Sequence, residues 1–89
     1  MTEITIYTSK LCGFCYAAKT LLQDKGAVYN EIDVTFNPKG RKLMNERSGR
    51  TSVPQIFIND VHVGGCDELH DLEDRGELDA MLTSQSASG

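Results

Sequence analysis

Polar and apolar side chains alternate along Glu3-Ile4-Thr5-Ile6-Tyr7-Thr8, and the segment is rich in β-branched residues, which predicts a strand. A short polar turn, Ser9-Lys10-Leu11, leads into Cys12-Gly13-Phe14-Cys15. The period then changes. Apolar positions at Phe14, Ala18, Leu21 and Leu22, with the stem of Lys25, follow helical spacing, and Gly26 supplies a stop. Residues 27–34 return to a period of two and predict a second strand. Asn37 as cap and Pro38 in the first turn open a second helix through Leu43 and Met44 to about residue 48, where Gly49 ends it. After Pro54, Gln55-Ile56-Phe57-Ile58 reads as a strand, and Asn59-Asp60 as a two-residue hairpin turn into Val61-His62-Val63. Gly64-Gly65 breaks the pattern before Asp67, the expected cap of a last helix carrying Leu69 and Leu72. Gly76 interrupts that helix, and residues 77–82 add a further turn or two.

The order is β-α-β-α-β-β-α, an α/β class. Two strands joined by a helix are expected to be parallel with a right-handed crossover. The final pair forms an antiparallel hairpin, so the architecture is a four-stranded mixed sheet with helices on both faces. Residues 1–82 form one domain; residues 83–89, small and polar, read as a flexible, frayed tail.

With 39% apolar and 25% charged residues, the composition is that of an ordinary soluble domain. A formal net charge of −4 argues against general nucleic-acid binding, which needs a basic face. The charge is unevenly placed, however. From Lys39 to Arg50 there are five basic residues against Glu46 alone, whereas from Asp60 onward eight acids face only Arg75. The basic stretch suits a small anionic ligand or, equally, a solvated helix face. The N-terminal residues lack a signal-peptide pattern, and no apolar run approaches the roughly 20 residues of a membrane span, so a cytoplasmic location is expected.

Thiols stay reduced in that compartment unless they are working ones. Three cysteines, two of them spaced C-x-x-C, point to redox or metal chemistry rather than a disulfide framework. Cys12 and Cys15 fall where a strand ends and a helix begins. Unpaired N–H groups and the helix dipole favour negative charge there, so a thiol loses its proton more readily. The first sulfur projects beyond the opening turn, and the second lies three residues on, on the same face. Cys12 is therefore the attacking sulfur and Cys15 the resolving one. Lys10 either adds a nearby positive charge or is a solvated turn lysine. Zinc would need four ligands, and the remaining candidates, His62, His70 and Cys66, match no zinc ribbon or finger spacing.

Three separated motifs now stand in order: Cys12-Gly13-Phe14-Cys15 after the first strand, Thr51-Ser52-Val53-Pro54 before the third, and Gly64-Gly65-Cys66-Asp67 after the fourth. Together they resemble the glutaredoxins, specifically the dithiol, class I, bacterial type, over roughly residues 5–82. The resemblance implies a thioredoxin fold and a glutathione-dependent disulfide oxidoreductase acting on glutathionylated and disulfide-containing proteins. It implies a cis Pro54, with the N–H and C=O of Val53 left to pair with an extended thiol peptide. It places the γ-glutamyl end of glutathione against Gly65, Cys66 and Asp67, with Asp67 facing the amino group. Arg41 matches the position that contacts the glycyl carboxylate. Phe14 and Ser52 join the glutathione site, and Lys10 lies one residue from the position, here Ser9, where many relatives carry Lys. Arg47 and Arg50 are left as surface charge. Cys66 is either a small semi-buried residue, the preferred reading, or a regulatory thiol.

A second reading is a binding role, in which two chains share a [2Fe–2S] cluster through Cys12 of each and two glutathiones. Four thiolates are what such a cluster needs. Gly13, where many glutaredoxins have Pro, favours that reading; Cys15, where the monothiol class has Ser, opposes it. The expectation is a monomer, dimeric only if the cluster is bound, with no nucleic-acid or membrane partner.

Overall fold

The computed structural model describes residues 2–88, with side chains described for residues 2–83. Strands β1 (Ile4–Thr8), β2 (Asn30–Asp33), β3 (Gln55–Ile58) and β4 (Val61–Gly64) form one sheet in the order β2-β1-β3-β4. Helices are α1 (Gly13–Asp24), α2 (Pro38–Ser48), α3 (Cys66–Asp74) and α4 (Leu78–Ser88). β1 runs parallel to β2, whereas β1–β3 and β3–β4 are antiparallel, so the sheet is mixed as expected.

The two central strands are covered on both faces. Ile4 and Ile6 of β1 and Ile56 and Ile58 of β3 pack with Ala18 and Leu22 of α1, Leu69 of α3 and Leu78 of α4. Tyr7 and Phe57, one residue out of phase with those isoleucines, turn to the other face and pack with Val34 and Met44 of α2. Every residue of β3 is therefore buried, whereas three of the four in the edge strand β2 are exposed.

Local signals account for the element ends. Asn37 Oδ1 accepts from Gly40 N at 3.0 Å, and Gly49 closes α2 at φ 71°, a left-handed angle open to glycine without penalty. Asn59 and Asp60 sit at φ 50° and 66°, as a tight hairpin turn with both central residues left-handed requires. Asn59 is also bound to the first strand: it donates its N–H to Glu3 O at 2.7 Å and accepts from Glu3 N at 2.8 Å.

Three expectations are corrected. The second strand covers only Asn30–Asp33 rather than residues 27–34, because pairing with β1 begins at Thr5↔Asn30; Val34 is buried just past its end. Asp67 does not cap α3. Gly65 is the cap, Asp67 is the second helical residue, and Glu68 reaches back to accept from Gly65 N at 2.6 Å. The chain also adds a helix, α4, so Thr83 to Ser88 continue helical backbone where a tail was expected; Gly89 lies outside the described residues. Buried Leu78 anchors its start, and no Gly or Pro follows to break it before Gly89. Among the described residues, no helix is long and apolar enough to cross a membrane.

Candidate active site

The chain leaves β1 at its buried, central end, so whatever follows Thr8 is presented at the edge of a rigid sheet. Leu11 turns the backbone through φ 58° and is fully exposed, and Cys12 then becomes the cap of α1. The Cys12 side chain takes the place of the usual hydroxyl or carboxylate cap: its Sγ accepts from Cys15 N at 3.1 Å. Cys12 is half-exposed and Cys15 is buried, with all three cysteines free thiols. Burial, reinforced by the neighbouring Cys12, pushes the Cys15 thiol up to about 12. The two sulfurs are thus unequal before any substrate arrives: one is accessible at a helix start, the other is protonated and sheltered.

Beside the pair lies a cleft of about 280 Å³. Phe14 forms one wall and Ser52, Val53 and Pro54 another, while Gly65, Cys66 and Asp67 at the start of α3 close the third side. The Val53–Pro54 peptide is cis, as the resemblance implied. Gly65 allows a close approach: a Cβ there would stand 3.3 Å from the carbonyl oxygen of Pro54, tighter than an ordinary contact. The opening turn of α3, with Asp67 exposed on it, faces this space, an arrangement suited to a ligand carrying both a carboxylate and an amine.

Seven sequence-derived site residues, Phe14, Ser52, Val53, Pro54, Gly65, Cys66 and Asp67, therefore share one cleft. Lys10, Cys12 and Cys15 line a second, adjoining cavity of about 420 Å³ on the β2 side of the pair. Lys10 is exposed with its Nζ 5.5 Å from the Phe36 ring centroid. Arg41 lies outside both linings and donates from Nη1 to Thr51 O at 3.2 Å, bracing the loop that carries Ser52 and Val53.

The two arginines left as surface charge have definite places. Arg50 lines the cleft and pairs with Glu68 at 3.0 Å. Arg47 lies over the Phe57 ring, 4.1 Å from its centroid, and donates to the Tyr7 hydroxyl at 2.9 Å. Gln55 and Glu68 are further cleft residues that the sequence did not single out. Gln55 is buried; its Nε2 donates to Ser52 O at 3.0 Å, and its Oε1 meets His62 Nε2 at 2.7 Å. A buried glutamine inside an apolar strand was the available signal. Glu68 is held below the usual carboxylate range, first by the Gly65 N–H and then by Arg50. Burial raises the Cys66 thiol, with Asp67 adding to the rise, and Cys66 Sγ lies 3.3 Å from His70 Nδ1. Among the described residues, no group of three or more His, Cys, Asp or Glu side chains could hold a metal ion.

Comparison with known proteins bears on this geometry. The glutaredoxin family profile matches residues 4–63. Glutaredoxin 3 of Escherichia coli strain K12 is 48% identical over 82 residues, spanning 92% of this chain and 99% of its own length. Glutaredoxin from Brucella melitensis, solved in solution, superposes with a TM-score of 0.81 at 55% identity, covering 92% of this chain and 89% of that one. A buckwheat glutaredoxin–glutathione complex superposes with a TM-score of 0.85 at 29% identity, covering 93% of this chain and 78% of the other.

Proposed function

The chain belongs to the glutaredoxin family and is a thiol–disulfide oxidoreductase, and from that premise we propose that it uses glutathione, with Cys12 as nucleophile and Cys15 as resolving thiol. The observation that carries the reading is the inequality of the two sulfurs: Cys12 accepts an N–H at the start of α1, while Cys15 is buried and protonated.

In the monothiol route, the Cys12 thiolate attacks the glutathione sulfur of a glutathionylated protein. A Cys12–glutathione disulfide forms, and the protein thiolate leaves and takes up a proton. A second glutathione thiolate then attacks the glutathione sulfur of that disulfide, yielding oxidised glutathione and regenerating Cys12. In the dithiol route, Cys12 first forms a mixed disulfide with one substrate sulfur and expels the other. Cys15 loses its proton and attacks the Cys12 sulfur, so the Cys12–Cys15 disulfide forms and the remaining substrate thiolate departs with that proton. Two electrons pass to the substrate in each case.

Glutathione occupies the cleft between Phe14, Pro54 and Asp67. Its γ-glutamyl carboxylate meets the first N–H groups of α3, and its ammonium meets Asp67. The backbone of Val53 pairs with the cysteinyl residue as an added strand would. Lys10 is the cation nearest to Cys12 in sequence, and Arg41 reaches the glycyl carboxylate by releasing the Thr51 carbonyl. The named complex of the buckwheat relative with glutathione supports this choice of ligand.

A [2Fe–2S] cluster shared between two chains would be held by Cys12 of each and by two glutathiones; Cys12 is the accessible thiol, Cys15 and Cys66 are buried, and no step is derived through a cluster. The test is a coupled assay with glutathione and glutathione reductase on wild type, Cys12→Ser and Cys15→Ser, using a glutathione mixed disulfide and a protein disulfide as substrates. Cys12→Ser abolishes both activities. Cys15→Ser keeps the first and loses the second, and equal loss of both would contradict the assigned roles.

A further inference from the structure

The cavity on the β2 side of the thiols lies apart from the cleft between Phe14, Pro54 and Asp67, and it is the one that Cys15 lines. Its wall carries an anchored charge. Lys19, just past the middle of α1, pairs through Nζ with Glu31 of β2 at 3.0 Å, and Glu31 in turn accepts from the Thr8 hydroxyl at 2.7 Å. Thr8 is buried, and Lys19 and Glu31 keep only 27% and 35% of their side-chain surface in water, so the lysine is tethered across the cavity rather than free on the helix surface. Lys19 sits four residues after Cys15 on the same helix, the spacing that stacks two side chains on one face.

The dithiol route demands a thiolate at Cys15 inside a site that resists one. Burial is the largest force against ionisation; Cys12 adds to it, while the Ser9 backbone and the Lys19 charge act in the opposite direction. Lys19 is itself held above its ordinary value, chiefly by Glu31, and so stays charged throughout the working range. The other charged or titratable groups of this cavity are Lys10 and Cys12 before and at the start of α1, Tyr16 on α1, and Glu31 and Asp33 on β2.

We propose that Lys19, tethered by Glu31, is the counter-charge for the Cys15 thiolate and therefore a positioning residue for the resolving step alone. The inference rests on the reading of Cys15 as the resolving sulfur. Once Cys12 is in a mixed disulfide, its own negative charge is gone, and Lys19 favours ionisation of Cys15 without that opposition. The Cys15 proton leaves, the sulfur attacks Cys12 Sγ, and the departing substrate thiolate is protonated. The monothiol route never ionises Cys15, so Lys19 is irrelevant to it.

The test uses Lys19→Gln, which keeps a donor for Glu31 but loses the charge, and Lys19→Arg, which keeps the charge. A unit charge at this partly buried position changes the ionised fraction of a neighbour by about tenfold. The higher basicity of the resulting thiolate restores about half of that on a logarithmic scale, which leaves a net slowing of about threefold. In Lys19→Gln, the ratio of insulin-disulfide reduction to deglutathionylation falls about threefold, and the deficit holds across pH 7–9 because Cys15 titrates far above that range. In a Cys12→Ser background, Cys15 alkylation shifts to higher pH. Lys19→Arg retains the wild-type ratio and alkylation profile. An unchanged ratio and profile in Lys19→Gln, or an arginine variant as impaired as the glutamine one, overturns the proposal. Cys15→Ser run in parallel separates the two readings: if it still reduces insulin disulfides, the resolving assignment itself has failed.

Discussion

Arg47 tests the structure most sharply, because along the chain it looks like one more charge in a basic stretch. Its Nη1 is the hydrogen-bond donor to a Tyr7 hydroxyl that is fully buried, and its guanidinium covers the Phe57 ring at 4.1 Å. The contact with Asp60, at 3.4 Å to an exposed carboxylate, adds about nothing measurable. Truncation to Ala orphans the buried phenol, which costs about 1–3 kcal/mol. It also removes a cation–π contact worth about 0.5–2 kcal/mol. The expected loss for Arg47→Ala is thus about 2–4 kcal/mol, which lowers Tm by about 10–20 °C in a domain of this size. Tyr7→Phe removes the hydroxyl together with its need, at about 1 kcal/mol. The double variant is then less destabilised than the two single losses added, by about 1–2 kcal/mol. Urea unfolding of the four proteins at pH 7 measures the cycle. An Arg47→Ala loss below about 0.5 kcal/mol, the size of an ordinary surface substitution, would refute the packing described here.

Cys15, at about 12, is ionised in only about one molecule in 10⁵ at pH 7. Iodoacetamide at that pH therefore labels Cys12 first and leaves Cys15 unmodified in the folded protein, as peptide mass spectrometry will show; labelling of both at similar rates would mean that the burial is wrong. His62 is held below its ordinary 6.5, first by burial and then by Arg50. The unfolded chain therefore binds the extra proton first, so stability at pH 7 declines as pH falls below about 6.5. The lowered carboxyls of Glu31 and Glu68 add a second decline below 4.5. Urea midpoints at pH 7, 5.5 and 4 should fall in that order, and His62→Gln should flatten the first interval. Asp67→Ala is expected to raise the glutathione concentration for half-maximal turnover by about tenfold, the worth of one exposed charge-assisted contact; an unchanged value would remove Asp67 from the site.

Much of the fold is legible because its signals are local. Asn37-Pro38 and Gly49 mark both ends of α2, and Asn59-Asp60 marks the hairpin, since each needs only its own backbone angles and nearest neighbours. The start of α3 was misplaced by two residues for an equally local reason. Asp67 is a good cap by type, but Glu68 closes back on Gly65 and moves the boundary upstream. The cysteine pair was legible as chemistry from its spacing alone. The roles of Arg47 and Arg50 were not: a guanidinium over a ring in another strand, or across a cleft from another helix, leaves no trace in sequence spacing.

By itself the chain's order of residues determined the succession of the four strands and the first three helices, which sulfur stands at a helix start, and which motifs accompany it. Those properties depend on groups within about four positions of each other, the reach of a turn or a cap. Only the packed molecule decided that Cys15 is sheltered while Cys12 is accessible, that the Val53–Pro54 loop and the start of α3 close one cleft, and that Lys19 is tied to β2 beneath the pair. Burial and charge act through space, and their strength is set by how much water is excluded between groups that the sheet brings together from distant parts of the chain.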